Sequence, residues 1–320
     1  MSSSPVKSPY GYVPTEWVGI AFVSLFAIST ATHFVQVIYY RTWWLLATAF
    51  VCGLLEIGGW AARLWSSFSP TLLKPYIIQT TATIIGPTPL LATNFIILGR
   101  LIGRLGPQYS RLPPKIYSII FTGCDIVALI VQGFGGVKAS QAVANHEDPE
   151  TGGHIMLGGI IFQMAAIVVY VILASEFLLR LFKNRPLKRS GRSASKPVEI
   201  ESSAKQMIIG LVFMTTCIFL RSIYRTVELI NGFTGVIITT QIYFILFDGA
   251  LIVLAIYGLN VFHPGRLMSD IDAKHMPLSN SEEELPLEYR YDKWNVEQGS
   301  GSYDPYKPPS YNPYKAPYNP

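Results

Sequence analysis

The sequence predicts an all-α integral membrane protein: a bundle of seven transmembrane helices followed by a polar tail. Three observations lead there. Half of the 320 residues are hydrophobic and only 14% are charged, with a mean hydropathy of +0.34, against roughly 25% charged in an ordinary soluble domain. Seven apolar stretches are each long enough to cross a hydrocarbon core of about 30 Å, which takes about 20 helical residues. Lys and Arg collect at alternate ends of these stretches, the pattern that sets membrane topology.

The spans are expected at 17–40, 43–66, 76–99, 116–138, 154–182, 206–227 and 236–262. The first outlasts the apolar core of a signal peptide and lacks its basic leader and small-residue cleavage site, so it remains as a helix. Trp17, Tyr39, Tyr40, Trp43, Trp44, Trp65, Tyr76 and Tyr117 edge the spans, where amphipathic rings prefer to sit. In the third span, Gly86-Pro87-Thr88-Pro89 must interrupt the helical hydrogen bonding and kink the chain. Gly133, Gly135 and Gly136 in the fourth read as a face for close helix packing.

The loop between spans five and six carries Lys183, Arg185, Lys188, Arg189, Arg192, Lys196 and Lys205. The loop between three and four carries Arg100, Arg104, Arg111 and Lys115, and that between one and two holds Arg41. The other side offers Lys7, Lys74 and Lys138, with an acidic 139–153 loop containing Glu147, Asp148 and Glu150. The N-terminus is therefore expected outside and the C-terminus in the cytoplasm. Residues 1–16 form a short extracellular N-terminus, 17–265 one membrane domain and 266–320 a cytoplasmic tail. The net charge of +5 is a topology signal rather than the footprint of a nucleic-acid binder.

Several polar residues lie inside the expected spans. Glu56 and Arg63 are seven apart in span two, and Asp125 and Gln132 seven apart in span four. Arg221, Arg225 and Glu228 close span six at offsets of four and three, and span seven carries Gln241 and Asp248, again seven apart. These spacings keep each set on one helix face, which must be the bundle interior, because a charge at the centre of a membrane helix costs about 2.5–3.5 kcal/mol on insertion scales. Glu56, Asp125, Glu228 and Asp248 set against Arg63, Arg221 and Arg225 give four acids and three bases. Most can pair, and one carboxyl is left to hold a proton or a cation. The constellation reads either as interhelical glue or, preferably, as a polar cavity or lipid-headgroup site.

Other classes are poorly supported. Cys52, Cys124 and Cys217 all sit in apolar runs, so no disulfide framework is implied. No Walker A sequence is present, and span seven has no Lys to hold retinal. His33, His146, His154, His263 and His275 show no compact metal-ligand spacing. Neither a metal, a cofactor nor an enzymatic activity is expected.

Together these residues resemble the fungal lipid-translocating exporters, seven-span proteins associated with resistance to amino-sterols and other membrane-active toxicants. The resemblance runs from Tyr10–Pro14 through the stretch from Glu56 to Arg63 (EIGGWAAR), Tyr76–Gln79, Gly86-Pro87 and Leu98-Gly99-Arg100. It is strongest at Asp125 with Gln132-Gly133-Phe134-Gly135-Gly136 and at Arg221, Tyr224-Arg225, Glu228 and Gly232, and it closes with Phe247-Asp248, Asn260 and His263-Pro264-Gly265. Gln241 stands where the family pattern carries an acid. The resemblance implies a plasma-membrane protein that moves or distributes amphipathic lipids such as sphingoid long-chain bases. In that reading Glu56, Asp125 or Asp248 neutralises an ammonium head, and Arg63, Arg221 and Arg225 hold the acids in register. The alternative is a seven-span lipid-sensing receptor or regulator that does not itself transport.

The segment from residue 266 is polar, acidic through Asp270, Asp272, Glu282, Glu283 and Glu284, and then rich in Pro and Tyr. It buries too little apolar surface to fold alone and is expected to be disordered. Pro308-Pro309-Ser310-Tyr311 is a PPxY sequence suited to an aromatic WW groove, which implies a WW-containing ubiquitin ligase as partner. The basic loop, with Ser190, Ser193 and Ser195, is a candidate contact for anionic lipid or a phosphorylation site.

Overall fold

The computed structural model describes residues 8–145, 147–187, 200–231 and 235–268, and every regular element among them is helical. Seven helices have the length and apolar character to span a membrane: Glu16–Tyr40, Trp43–Phe68, Leu73–Leu105, Pro114–Ala139, Glu150–Phe182, Ser202–Ile230 and Gln241–Met268, here spans one to seven. The protein is an integral membrane protein. Span seven starts at Gln241 rather than residue 236, because Gly235–Thr239 turn before it. It also passes the expected domain boundary at 265, with Leu267 and Met268 buried. The basic stretch 188–199, with its three serines, and the tail with its PPxY sequence lie outside the described residues.

The bundle is apolar outside and partly polar inside. Ile28, Val35, Ile130 and Ile172 are exposed, whereas Ser29, His33, Thr93 and Asn94 are fully buried. In hydrocarbon this is the stable arrangement, since lipid-facing side chains gain nothing by burial and polar groups must find partners within. Consecutive spans pack side by side, and span seven returns to span one, so the ring closes. Span three is the most buried of the seven and touches spans two, four, five and six.

Spans four and five make the most extensive pairing, and glycine permits it. A Cβ added at Gly152 would lie 2.3 Å from the Ala139 nitrogen, and one at Gly135 would lie 2.5 Å from the Met156 nitrogen. The three glycines expected to form one packing face therefore divide. Gly135 packs, whereas Gly133 has open space in front of it and lines a groove together with Gly136.

Residues 8–15 and the connections at 69–72, 147–149 and 235–240 share one end of the bundle, the N-terminal face. At the other end, the Leu187 nitrogen donates to the Gln108 carbonyl at 2.9 Å, Tyr109 bonds Asn184, and Arg111 meets Glu176 at 2.6 Å. The loop between spans three and four is thus stitched to the described start of the loop between spans five and six. The Arg111–Glu176 pair is solvent-facing, so water screens it and it contributes little to stability. Tyr117, expected at the interface, is instead buried among Phe95, Phe121 and Tyr170, because its ring completes an aromatic cluster at the crossing of spans three, four and five.

Candidate functional site

The site begins with two missing donors. Proline has no N–H, so Pro87 and Pro89 leave the carbonyls of Thr83 and Ile85 without their i+4 partners. Span three accordingly breaks at Gly86 into Leu73–Ile85 and Pro87–Leu105. A free carbonyl in a membrane interior must be satisfied by a neighbour. Here the Arg221 guanidinium of span six donates to the Thr83 carbonyl. One turn on, Arg225 Nη2 donates to the Thr83 hydroxyl at 3.0 Å. Both arginines therefore dock on the broken span.

Asp248 meets the same guanidiniums from span seven. Arg225 grips it bidentately, Nε to Oδ1 at 2.8 Å and Nη2 to Oδ2 at 2.9 Å. Arg221 Nε also lies 2.8 Å from Oδ1, as an ion pair off the axis of its N–H. Arg225 Nη1 reaches Glu228 at 2.8 Å, and Glu228 accepts the Tyr224 hydroxyl at 3.0 Å. Asp248 sits in a π-helical segment, Ile245–Ala250. Such wider turns recur at functional sites and shift the phase of everything before them.

That shift explains where the expected i, i+7 pairing of Gln241 with Asp248 fails. Gln241 is only half-buried and lies apart from the ion cluster. Its Oε1 instead accepts the Thr15 nitrogen at 3.3 Å and the Thr15 hydroxyl at 3.2 Å, anchoring the segment before span one.

Arg63 also differs from expectation. It is buried, yet among the described residues it pairs with no acid. Its Nη2 donates to the Tyr12 hydroxyl at 2.8 Å and its Nη1 to Gln79 at 3.5 Å. The rings of Tyr10, Tyr12, Trp60 and Phe244 surround it, with Phe244 closest at 4.6 Å, so ring quadrupoles take the place of a carboxylate. Tyr10 bonds Ser66 at 3.0 Å and stands edge-on to Tyr76, and burial pushes its phenol above the ordinary range. Residues 8–15 thus lie as a strap over the N-terminal face.

Glu56 is 2% exposed, and among the described residues no cation lies within ion-pairing distance of it. Its carboxyl fills the space that the missing side chain of Gly86 leaves at the break, where a Cβ would come 2.7 Å from Oε1. Asp125 forms a separate polar group. The Gln163 amide of span five donates to Asp125 Oδ1, and Gln132 Nε2 donates to Gln163 Oε1 at 2.9 Å. Asp125 Oδ2 is buried and has no hydrogen-bond partner among the described residues.

Two cavities meet here. A groove of about 640 Å³ opens at the N-terminal face, where Pro9, Leu73 and Tyr76 line it, and ends at Ile84 and Gln132. Those two residues also line a chamber of about 20 Å³ with Gln163, Ser222, Arg221 and Arg225, which has room for about one water.

Residues 49–271 match the profile of a family described as RTA1 like protein. The chain belongs to the RTA1-like family. Among its relatives is the sphingoid long-chain base transporter RSB1 of Saccharomyces cerevisiae, 28% identical over 281 residues, 80% of this chain and 73% of the relative. Protein RTA1 of the same yeast is 28% identical over 265 residues, 75% of this chain and 80% of that protein. A lipid-translocating exporter-like protein RTA1 of Leptosphaeria maculans is 27% identical over 280 residues, 81% of this chain and 51% of that protein. No solved structure matches. The RTA1-like match contains the ion cluster, Glu56 and the Asp125 group, while the strap precedes it.

The structure brings Arg221, Arg225, Glu228 and Asp248 into contact and seats Glu56 beside them. Asp125 and Gln132 form the second group, and Arg63 and Gln241 serve the strap. Sequence reasoning missed Thr83, Gln163, Tyr12 and Phe244. Thr83 had a usable signal, since Pro87 four residues later must free its carbonyl. Gln163 had one too, as an amide in the middle of the most apolar span.

Proposed function

We propose that the protein moves single-chain amphipathic lipids with a cationic head, the sphingoid long-chain bases, and that it does so in the plasma membrane, giving resistance to membrane-active compounds. The observation that carries this reading is the groove. Its walls are mainly apolar, through Leu73, Ile77, Ile85, Val137 and Met156, and its size falls in the range of about 300–1,000 Å³ typical of small-ligand sites. Its inner end is polar. Gln132 offers hydrogen bonds there, and Asp125, two turns along the same helix and bonded through Gln163, supplies the negative charge that an ammonium head requires. The relatives named as long-chain base transporter and lipid-translocating exporter-like protein support the same class of cargo. Asp248, engaged by both arginines, acts as the ionic frame rather than the ammonium receptor. No chemical step is involved. Anionic lipid at the basic loop between spans five and six and a WW-containing ubiquitin ligase at Pro308, Pro309 and Tyr311 complete the proposal as regulatory partners.

The test is translocation of a fluorescent long-chain base by purified protein in liposomes, comparing wild type, Gly133→Leu and empty vesicles. Gly133 has open space before it, so leucine there fills the groove without disturbing a helix crossing. Protein-dependent movement should fall severalfold in the variant while its thermal stability stays unchanged. Movement equal to that of empty vesicles would refute transport, and lipid binding without movement would favour the receptor or regulator.

A further inference from the structure

Among the described residues, the buried cluster on spans two, six and seven contains three carboxyls, Glu56, Glu228 and Asp248, and two guanidiniums, Arg221 and Arg225. Arg225 engages Glu228 and both oxygens of Asp248, and Arg221 adds a further contact to Asp248. Glu56 is the carboxyl left over. With a proton on Glu56 the cluster is neutral. Without one, a net negative charge is buried with no ion-pair partner among the described residues, a state that costs several kcal/mol by the usual order of magnitude.

Among the described residues, the surroundings of Glu56 are otherwise uncharged. Span one's buried titratable side chain, His33, is engaged by the Ile256 carbonyl at 3.2 Å. Span three presents Gly86 and the Thr83 carbonyl and hydroxyl. Span two itself adds Cys52, and span seven adds only Asp248. The cations that feel Glu56 are Arg221 and Arg225.

Of these two, Arg221 is free to respond. Arg225 alone holds Asp248 through two hydrogen bonds, whereas Arg221 touches one oxygen off its N–H axis. Arg221 is also bonded to the Thr83 carbonyl, next to Ile84, which lines both the groove and the one-water chamber. Ionised Glu56 would draw Arg221 toward itself and pull on the broken half of span three at the inner end of the groove.

Resting on the lipid-transport reading above, we propose that Glu56 is a proton-exchange site that couples proton movement to opening and closing of the groove. The proton leaves the carboxyl to water on one side and is replaced from the other, with no covalent step.

The experiment uses the full purified chain in neutral phospholipid vesicles, with a fluorescent sphinganine outside and a pH dye inside. One proton exchanged per lipid limits accumulation to about tenfold per unit of pH difference. Wild type should show gradient-stimulated movement and a protein-dependent proton signal beyond that of empty vesicles. Glu56→Gln should lose both while its thermal stability holds. Retained gradient stimulation in Glu56→Gln, or lipid movement without proton movement in wild type, would overturn the proposal. Infrared spectroscopy gives the second measurement. A protonated-carboxyl band that titrates with pH in wild type and is absent in Glu56→Gln supports the site, and its absence from wild type refutes it. If no lipid moves at all, the transport reading fails, and this band still decides whether Glu56 exchanges a proton.

Discussion

Asp248→Asn tests the ionic frame most directly. The carboxylate makes three contacts of 2.8–2.9 Å to two guanidiniums that are each below 10% exposed. The amide removes the charge and points an N–H pair at groups that can only donate. With Glu56 protonated, Arg225 then keeps Glu228 and Arg221 has lost its anion. Removing one partner of a buried ion pair typically costs about 3–5 kcal/mol, and here Arg221 is the stranded cation, because Arg225 keeps Glu228. Thermal unfolding of detergent-purified protein, followed by loss of the monodisperse peak, should show a large drop in midpoint. Adding Arg221→Gln returns the cluster to one cation and one anion, and a coupling of about 1–3 kcal/mol should appear as partial recovery. Wild-type stability in Asp248→Asn, or strict additivity in the double variant, would refute an ion-paired core.

Two further outcomes follow from the geometry. Gly152→Ala should destabilise the protein by about 1–3 kcal/mol or more through overpacking, because its Cβ meets backbone at 2.3 Å, whereas Gly158→Ala, with nothing within 4 Å, should leave the unfolding midpoint unchanged. Pro87→Ala returns an N–H to the Thr83 carbonyl in competition with Arg221, so lipid flux should fall while stability holds or rises; a variant with full flux would show that the break has no functional part.

The seven spans were legible because a membrane selects helices by one-dimensional hydropathy and length, and both can be counted along the chain. Burial of the in-span charges was legible for the same reason, since Glu56, Asp125, Arg221, Arg225 and Asp248 are too polar to face lipid. The partners were not. Arg63 has a carboxyl seven residues away on its own helix and yet bonds Tyr12, because a guanidinium at the end of a span meets whatever covers that end. The i, i+7 rule places Gln241 with Asp248 only on an unbroken α-helix, and one π-turn voids it. Thr83 is the instructive case. Pro87 announces a free carbonyl by arithmetic alone, and Arg221 and Arg225 are the donors that a membrane interior must recruit for such a group. Orphaned backbone acceptors and buried guanidinium donors, read together, would have linked span three to span six before any coordinates. In a bilayer, unsatisfied groups on different helices have few alternatives to one another, so the groups each helix fails to satisfy on its own carry the tertiary information that hydropathy omits.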